Sequence, residues 1–345
     1  MERYSYVLTL GREDGSRLAT VPLEPDFGPY VEWTHFDGIR AGKLAPSTAC
    51  PPAEVVPVWQ DDERERRALR GVRVSLAAGA ETLAHEFPST VFLPAAAEVA
   101  AGLYANGSLQ AGEGYRYLVH AYRRLAAHPS ASSGGAERAA FRVETIEQDL
   151  PVLPGDLPSL LAGGSWRDGE FADTSDLPVV IAPSVPAAAR ALARQTPDVE
   201  SGGVLVGHLH RDSTTDSLFL SITGLIPARH AIAETTRFTF TPETWAAARQ
   251  ALALRGRGEA VYGWAHHHPD FCRIRGCPTE SRRHCALSSA FFSREDVHLH
   301  RAVFPRSYNM ALLVHEEADG AFGISLYGWR AGQVERRGYA LMGEE

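Results

Sequence analysis

The sequence predicts an α+β protein with two folded parts, and three observations support this prediction. At 345 residues the chain is long enough for two domains, because single domains usually contain roughly 100–200 residues. Strand-like and helix-like segments alternate without an internal repeat, and segments rich in Pro, Gly and Ser lie between the two parts. We therefore predict an N-terminal α+β domain at 1–127, a linker at 128–176 and a C-terminal domain at 177–345.

The N-terminal part combines short apolar runs with turn signals such as GREDGSR and ANGS, which is typical of strands joined by tight turns. The runs predicted as strands are YSYVLTL, STVFLP and YRYLVHAYRRL. The following Leu-Pro repeats within 150–176 predict a semi-extended chain, which is either a tether or a strip that docks on a partner.

The C-terminal part predicts a mixed, largely antiparallel sheet with flanking helices. Helix signals include Ser184 and Thr241 at cap positions and Gly256 at a helix end, since these residue types satisfy or terminate helix ends. A further helix is predicted to begin near Ser293. The predicted strands are LPVVIAP, GGVLVGHLH, DSLFLSITGLIP, TRFTFT, EAVYGWAHHH, YNMALLVHE and AFGISLYGW.

Three consecutive histidines at the end of one predicted strand indicate a metal site. Side chains alternate along a strand, so His266 and His268 face one side and His267 faces the other. A catalytic zinc takes three protein ligands and keeps one open position for water, and a His-x-His pair on a strand can supply two of them. Pro269 ends the strand directly after the second histidine.

Two other segments carry candidates for the rest of such a site. Ser293 and Asp296 are one helical turn apart and can therefore point to one side of a helix. Glu200 comes directly before a predicted strand that starts with glycines, which allow close approach of a neighbouring backbone. Each piece is a weak signal by itself, because an isolated His-x-His is often incidental and an isolated Glu is usually solvated.

Taken together, the three segments resemble the signature of the JAMM zinc metalloproteases, the catalytic JAB/MPN domains. The matching patterns are Glu-Ser-Gly-Gly-Val-Leu-x-Gly at 200–207, Gly-Trp-x-His-x-His-Pro at 263–269 and Ser-x-x-Asp-Val-x-x-His at 293–300. They agree with the family in order as well as in residue type. The resemblance covers roughly 177–335 and implies a cytidine-deaminase-like MPN/JAB fold for that part of the chain.

The resemblance also implies a role for each matching residue. His266, His268 and Asp296 would bind a catalytic Zn²⁺. Glu200 would hold and deprotonate the attacking water and return the proton to the leaving amine, and Ser293 would stabilise the oxyanion. The implied activity is that of an isopeptidase that removes a ubiquitin-like modifier or trims its precursor.

The sequence departs from the family pattern in two places. His267 stands where the family usually has Ser or Thr, and it is either a substrate contact or a tolerated side chain that faces away from the metal. In addition, 24 residues separate His268 from Ser293, which is much longer than the usual spacing. An insertion at 270–292 therefore lies beside the predicted active site, where loops commonly determine specificity.

The insertion carries a cysteine cluster that suggests a second, structural zinc. In some eukaryotic members of the family that cleave ubiquitin chains, a histidine two residues after the catalytic Asp binds such a zinc. The candidate ligands here are Cys272, Cys277 and Cys285, with His298 or His284 as the fourth. Thiols on a loop without metal, or one disulfide with a leftover cysteine, remain open as alternatives.

Composition and charge limit the partners and the location. A net charge of −8 argues against nucleic acid, whose binding proteins carry dense basic patches. The sequence shows neither a signal-peptide pattern nor an apolar run that could span a membrane, which predicts a cytoplasmic protein without membrane contact.

The expected partners are a ubiquitin-like protein or its conjugates, and conjugation enzymes bound through the N-terminal domain. The Ala- and Arg-rich composition points to a bacterial ubiquitin-like pathway. Two alternatives are a non-catalytic MPN scaffold, and a zinc hydrolase of small amides or amino-acid–carrier conjugates.

Overall fold

In a computed structural model, the chain folds into two compact units, Met1–Asp149 and Leu150–Glu345. The described residues are 4–60, 68–79, 81–110, 112–123, 150–167, 176–235, 238–278, 290–316 and 320–343. Within them, no helix is both long enough and apolar enough to cross a bilayer.

The first unit is an α+β fold with two three-stranded antiparallel sheets, in the orders β2-β1-β6 and β3-β4-β5. Its strands and helices are β1 (Tyr4–Gly11), β2 (Arg17–Leu23), α1 (Gly28–Arg40), β3 (Ala53–Trp59), β4 (Leu69–Ala78), β5 (Glu81–Pro88), α2 (Leu93–Ala105) and β6 (Arg116–Arg123). Their apolar faces share one core that includes Leu8, Val72 and Phe92.

One strand prediction in this unit is wrong. The run STVFLP forms a 3₁₀ helix at Ser89–Phe92 that leads directly into α2. A short apolar run does not distinguish a strand from a buried helical turn, whereas Pro94 in the first turn of α2 is compatible with a helix start because the missing N–H has no helical partner there. Val91 and Phe92 are buried, as they would also be in a strand. The apolar run therefore predicts burial but does not predict the type of secondary structure.

The second unit contains two sheets, one of ten strands with helices on both faces and one of two strands. Its strands are β7 (Val152–Gly155), β8 (Ser165–Arg167), β9 (Val179–Ile181), β10 (Ser201–Asp212), β11 (Leu218–Pro227), β12 (Ile232–Ala233), β13 (Phe238–Thr239), β14 (Ala260–His268), β15 (Met310–Glu316), β16 (Phe322–Arg330), β17 (Gln333–Arg337) and β18 (Tyr339–Leu341). Its helices are α3 (Leu157–Leu161), α4 (Ser184–Gln195), α5 (Pro242–Arg255), α6 (Phe271–Ile274) and α7 (Arg294–Val303).

The large sheet runs in the order β17-β16-β15-β14-β10-β11-β9-β18-β8, with β7 beside β10. Among the described pairings of this sheet, five are antiparallel and four are parallel, so the sheet is mixed, with antiparallel pairs in the majority. β14 lies between β10 and β15, in the interior of this sheet. The three histidines at its end are therefore held by ladders on both sides.

Part of the predicted linker belongs to the second unit. β7 pairs in parallel with the end of β10, beginning at Val152 opposite Leu209, and β8 pairs with β18. The Pro-rich chain at 150–167 thus adds strands to the sheet instead of acting as a tether. An exposed strand edge offers unpaired backbone groups to any extended segment, and Pro154 is tolerated because it lies in a short added strand. The rest of the predicted linker, 124–149 and 168–175, lies outside the described residues.

Helices cover both faces of the sheet. α4 buries Val185, Ala189 and Ala193 and packs on β10, β11 and β14. On the opposite face, α5 packs through Ala248, and Phe304 at the end of α7 packs against Trp264.

The structure confirms Thr241 as a cap and Gly256 as the end of α5, and the helix predicted near Ser293 begins at Arg294. Thr241 accepts a hydrogen bond from the backbone N–H of Thr244, and Ser293 caps α7. Ser184 does not cap α4, since it already lies inside the helix after Pro183.

Candidate metal centre

His266 and His268 lie on the face of β14 that points towards α7, and both are almost fully buried. This follows from strand alternation, because Trp264 on the same face packs against Phe304 at the end of α7. The neighbouring strand β10 approaches closely, with Gly202 opposite His266. A Cβ on Gly202 would lie 2.0 Å from the carbonyl oxygen of Ala265, so only glycine fits there.

The start of α7 brings a carboxylate to the two histidines. Ser293 and Asp296 form a reciprocal capping box: Ser293 Oγ accepts the N–H of Asp296 at 3.1 Å, and Asp296 Oδ2 accepts the N–H of Ser293 at 2.7 Å. A capping box satisfies two backbone donors at a helix start that would otherwise lack partners. The same local interaction therefore holds Asp296 in place for a second task.

The three side chains converge on one point. Asp296 Oδ1 lies 3.1 Å from His266 Nε2, Asp296 Oδ2 lies 3.2 Å from His268 Nε2, and the two Nε2 atoms are 3.0 Å apart. One candidate ligand atom from each side chain lies within 4.8 Å of the others. Two imidazole nitrogens and one carboxylate oxygen form a donor set that fits Zn²⁺ with an open position.

The protonation states also suit a cation. Burial by itself would raise the pKa of Asp296, but the two histidines opposite outweigh it and hold the pKa far below its usual range. Burial lowers the pKa of His266, although Asp296 opposes this effect. An ionised carboxylate and a neutral imidazole are the forms that bind metals.

Glu200 lies beside this group without joining it. Glu200 is only 3% exposed to solvent, and its Oε1 lies 3.9 Å from Nε2 of His268. The backbone N–H of Glu200 donates to the carbonyl of Glu234 at 2.9 Å. Burial, then the charges of Asp296 and Glu295, raise the pKa of Glu200 to about 8. A buried carboxyl group with a raised pKa next to a metal site is typical of a general base or acid.

Aromatic rings surround the two histidines. Phe271 and Phe291 have ring centroids 5.8 Å and 5.9 Å from that of His268. Trp264 stacks on His266 with centroids 4.3 Å apart and an angle of 12° between the planes. The indole Nε1 of Trp264 donates to His300 Nδ1 at 3.1 Å.

Sequence reasoning assigned no role to Trp264 or His300. Both occur in the quoted patterns, and the signal that could have identified them is their spacing. Trp264 precedes His266 by two residues on a strand, and His300 follows Asp296 by four residues on a helix. Each therefore faces the same side as a candidate ligand.

His267 faces away from His266 and His268, towards the α4 side of the sheet. It is buried and not solvated, and its ring lies 6.1 Å from that of Phe322. Burial, reinforced by His266 and His268, lowers the pKa of His267 to about 4. In this position it packs inside the fold and does not border the face that carries Asp296.

The described residues do not bring the proposed second zinc ligands together. Cys272 is buried, Cys277 is partly exposed and His298 is exposed on α7. Neither cysteine forms a disulfide, and the one convergent metal-ligand group among the described residues is that of His266, His268 and Asp296. The other two candidates, His284 and Cys285, lie outside the described residues.

The start of the insertion is attached near Glu200. Asp270 caps α6 by accepting the N–H of Arg273 at 3.0 Å. The guanidinium of Arg273 donates to Asp198 at 2.7 Å and to the carbonyl of Pro197 at 2.9 Å. The segment before β10 and the inserted segment therefore contact each other beside the candidate metal centre.

Comparisons with known proteins give little further information. No family model matches the chain, and no curated protein matches it. One similar solved structure is the solution structure of protein DSY2949 from Desulfitobacterium hafniense, at 18% identity, with 48% of this chain and 94% of that chain covered and a TM-score of 0.32. A likeness of this size carries no argument about fold or function.

Proposed function

We propose that the second unit is a zinc-dependent peptidase or isopeptidase of the JAMM type with a cytidine-deaminase-like JAB/MPN fold. The observation that carries the proposal is the buried group of His266, His268 and Asp296, with Glu200 3.9 Å from the nearest histidine nitrogen and outside the group. Three ligand side chains and one separate carboxylate are the parts that hydrolysis of an amide at a metal requires.

His266, His268 and Asp296 would hold the metal, because their donor atoms already converge and are buried. When bound, zinc supplies a water with a pKa near 7 and polarises the scissile carbonyl. The chain itself provides the orientation: β14 places the two imidazoles, and the α7 capping box places the carboxylate.

Glu200 is the proposed proton carrier. Its carboxylate accepts a proton from the attacking water and returns it to the amine that leaves. In the metal-free chain, burial and the neighbouring carboxylates raise the pKa of Glu200, and the positive charge of a bound Zn²⁺ would lower it again towards the working pH. The group could then both accept and return a proton, since a general acid or base is most efficient when its pKa lies near that pH.

Ser293 is the proposed oxyanion donor. Its Oγ accepts the backbone N–H of Asp296, which leaves the hydroxyl proton available for another acceptor. A donor fixed at a helix start is preorganised, and such donors stabilise the charge that develops on a carbonyl oxygen.

The proposed substrates are ubiquitin-like modifiers, as conjugates or as precursors, in a bacterial ubiquitin-like pathway. This part rests on the resemblance in the three sequence segments. The first unit is proposed to bind the modifier or a conjugation enzyme, and a cytoplasmic location is proposed on the same basis.

A second, structural zinc in the insertion remains a proposal, with Cys272, Cys277 and Cys285 and either His298 or His284 as ligands. Metal analysis of the purified chain decides it. Two zinc ions per chain support the second site, and one zinc ion together with three titratable thiols from the insertion rejects it.

The activity test uses two kinds of amide. The full chain is incubated with ubiquitin-like proteins fused through a peptide or isopeptide bond to a reporter, and with small N-acyl amino acids, each with and without a chelator. Cleavage of the fusion that the chelator abolishes supports the proposal, while cleavage of the small amides alone supports the alternative amide hydrolase. No cleavage by a zinc-loaded chain supports the scaffold.

Glu200→Gln is the matched variant for this test. We expect it to keep zinc, because Glu200 is outside the ligand group, and to lose a factor of about 10²–10⁴ in turnover. Full turnover in this variant would overturn the role of Glu200.

A further inference from the structure

The second ring nitrogen of His266 lacks the support that metal-binding histidines usually have. Nε2 of His266 faces Asp296 and His268, whereas its Nδ1 is buried and makes no hydrogen bond within the described part of the chain. Metal-binding histidines normally donate this second N–H to a carboxylate or carbonyl, which fixes the ring orientation. The orientation of His266 must therefore come from another contact.

Among the ring contacts of His266 in the described part of the chain, the contact with the indole of Trp264 has the shortest centroid distance, ahead of those with His268 and Phe292. The two rings are nearly parallel, at 12° and 4.3 Å between centroids, and both side chains lie on the same face of β14. Trp264 is fully buried, and its Nε1 donates to His300 Nδ1 at 3.1 Å. The hydrogen bond from Nε1 to His300 and the stacking on His266 restrict the rotation of the indole ring.

His300 is suited to hold the indole in this orientation. It lies one helical turn after Asp296 on α7, so one helix carries both a candidate ligand and the acceptor that fixes Trp264. Nδ1 of His300 accepts the indole N–H, which requires the neutral ring with its proton on Nε2. That Nε2 is buried without a hydrogen-bond partner among the described residues, and buried polar groups left without a partner are rare in folded proteins.

We infer that Trp264 is a positioning residue for the metal ligand His266, and that His300 fixes Trp264 through the indole N–H. The stacked indole takes the place of the hydrogen bond that a carboxylate or carbonyl normally accepts from the second ring nitrogen of a metal-binding histidine. This inference rests only on the metal-binding part of the proposed function and not on the identity of the substrate.

The test measures Zn²⁺ affinity of the full-length, metal-free chain by competition with a chromophoric chelator. Loss of supporting groups around a ligand histidine typically weakens metal binding about 10–100-fold, and we expect a loss of this size for His300→Leu and for Trp264→Phe. His300→Asn places an oxygen acceptor near the position of Nδ1, so this variant is expected to retain most of the wild-type affinity. In the Trp264→Phe background, His300→Leu should have little further effect, because the two residues act as a unit.

Trp329→Phe is the matched control. Trp329 is also a buried indole, its Nε1 donates to the carbonyl of Phe304 at 2.8 Å, and its ring contacts that of His300 at 5.5 Å. It has no ring contact with His266 among the described residues. Its substitution should therefore destabilise the fold without changing Zn²⁺ affinity. The absorption bands of the Co²⁺-loaded chain give a second readout, and they should change for His300→Leu but not for the control.

Equal affinities for wild type, Trp264→Phe and His300→Leu overturn the inference, as does an equal loss in Trp329→Phe. A wild-type chain that binds no Zn²⁺ overturns it together with the proposed metal centre. If His300→Leu does not fold, Trp264→Phe and His300→Asn decide the result by themselves. If the Zn²⁺ affinities of the variants follow the expected order but the chain shows no peptidase activity, the proposed reaction is refuted. The inference about Trp264 and His300 then still holds.

Discussion

Replacing Glu200 by Gln should stabilise the metal-free chain. The side chain is buried beside Asp296, so the charged form of Glu200 is unfavourable in the folded state, and the pKa of its carboxyl group rises from 4.5 to about 8. Gln has the same shape and carries no charge. The substitution therefore removes an ionisation that opposes folding at neutral pH.

The size of the effect follows from the pKa shift. A group whose pKa is higher in the folded than in the unfolded state binds more protons when folded, so stability falls as pH rises between the two pKa values. Each pH unit in this window corresponds to about 1.4 kcal/mol. At pH 7 the wild type should be less stable than Glu200→Gln by about 3 kcal/mol, and at pH 5 by less than about 1 kcal/mol.

The measurement is urea unfolding in the presence of a chelator at pH 5, 7 and 8.5, with the free energies of unfolding compared between variant and wild type. The difference between the two proteins reports on Glu200, since every other ionisable side chain is present in both. Glu335→Gln is the matched control, because Glu335 is exposed on β17, does not contribute to the pKa shift of Glu200, and surface substitutions usually change stability by less than about 0.5 kcal/mol. A difference between Glu200→Gln and wild type that is zero or negative at pH 7, or that does not grow with pH, would refute the reasoning.

Three other substitutions test two positions at the site and one ion pair at the opposite end of β14. Ser293→Ala removes the side-chain cap of α7 and the proposed oxyanion donor, so we expect about 1 kcal/mol less stability and turnover lower by about 10²–10³, while Ser293→Thr keeps both. Gly202→Ala should prevent folding or metal binding, because its Cβ would lie 2.0 Å from the carbonyl oxygen of Ala265, which circular dichroism and zinc titration can detect. Glu259→Gln should lower stability at pH 7 by about 1–3 kcal/mol, since its hydrogen bonds with Arg255 hold the pKa of Glu259 at about 2. This contribution is present above pH 4.5 and is lost as pH falls towards 2.

Each of these predictions has a control and a result that contradicts it. Equal turnover in Ser293→Ala and Ser293→Thr would exclude the hydroxyl from the reaction. Gly102→Ala, inside α2 with open space around the Cβ and no positive φ, is the control for Gly202→Ala, and wild-type zinc affinity in Gly202→Ala would show that the strands can separate. For Glu259, the control is the exposed Glu335→Gln, and equal stability of both variants would show that the ion pair with Arg255 contributes nothing.

Local signals predicted the elements that carry the candidate site. The alternation that puts His266 and His268 on one side depends only on strand geometry, and the Ser-x-x-Asp spacing is itself a capping signal. The strand of β14 and the start of α7 were therefore predictable. The run STVFLP was not, because its apolar residues are buried equally well by a strand and by a helical turn.

The strands that complete the sheet were harder to predict. β7 and β8 are short, and Pro154 in β7 reads as a break. Their pairing depends on the edge that β10 and β18 offer to them, which is a property of residues more than forty positions away. Likewise, the parallel pairing of β14 with β15 follows from the crossover between them and not from the pattern of either strand.

The sequence by itself determined which side chains could bind a metal and on which face of their own element they lie, because strand and helix periods act over a few residues. Only the tertiary structure decided that β14 and α7 bring these side chains within 4.8 Å, that burial raises the pKa of Glu200, and that Trp264 and His300 support His266. The physical reason is that distance, desolvation and ring contact between separate segments depend on long-range packing, which local periodicity does not encode.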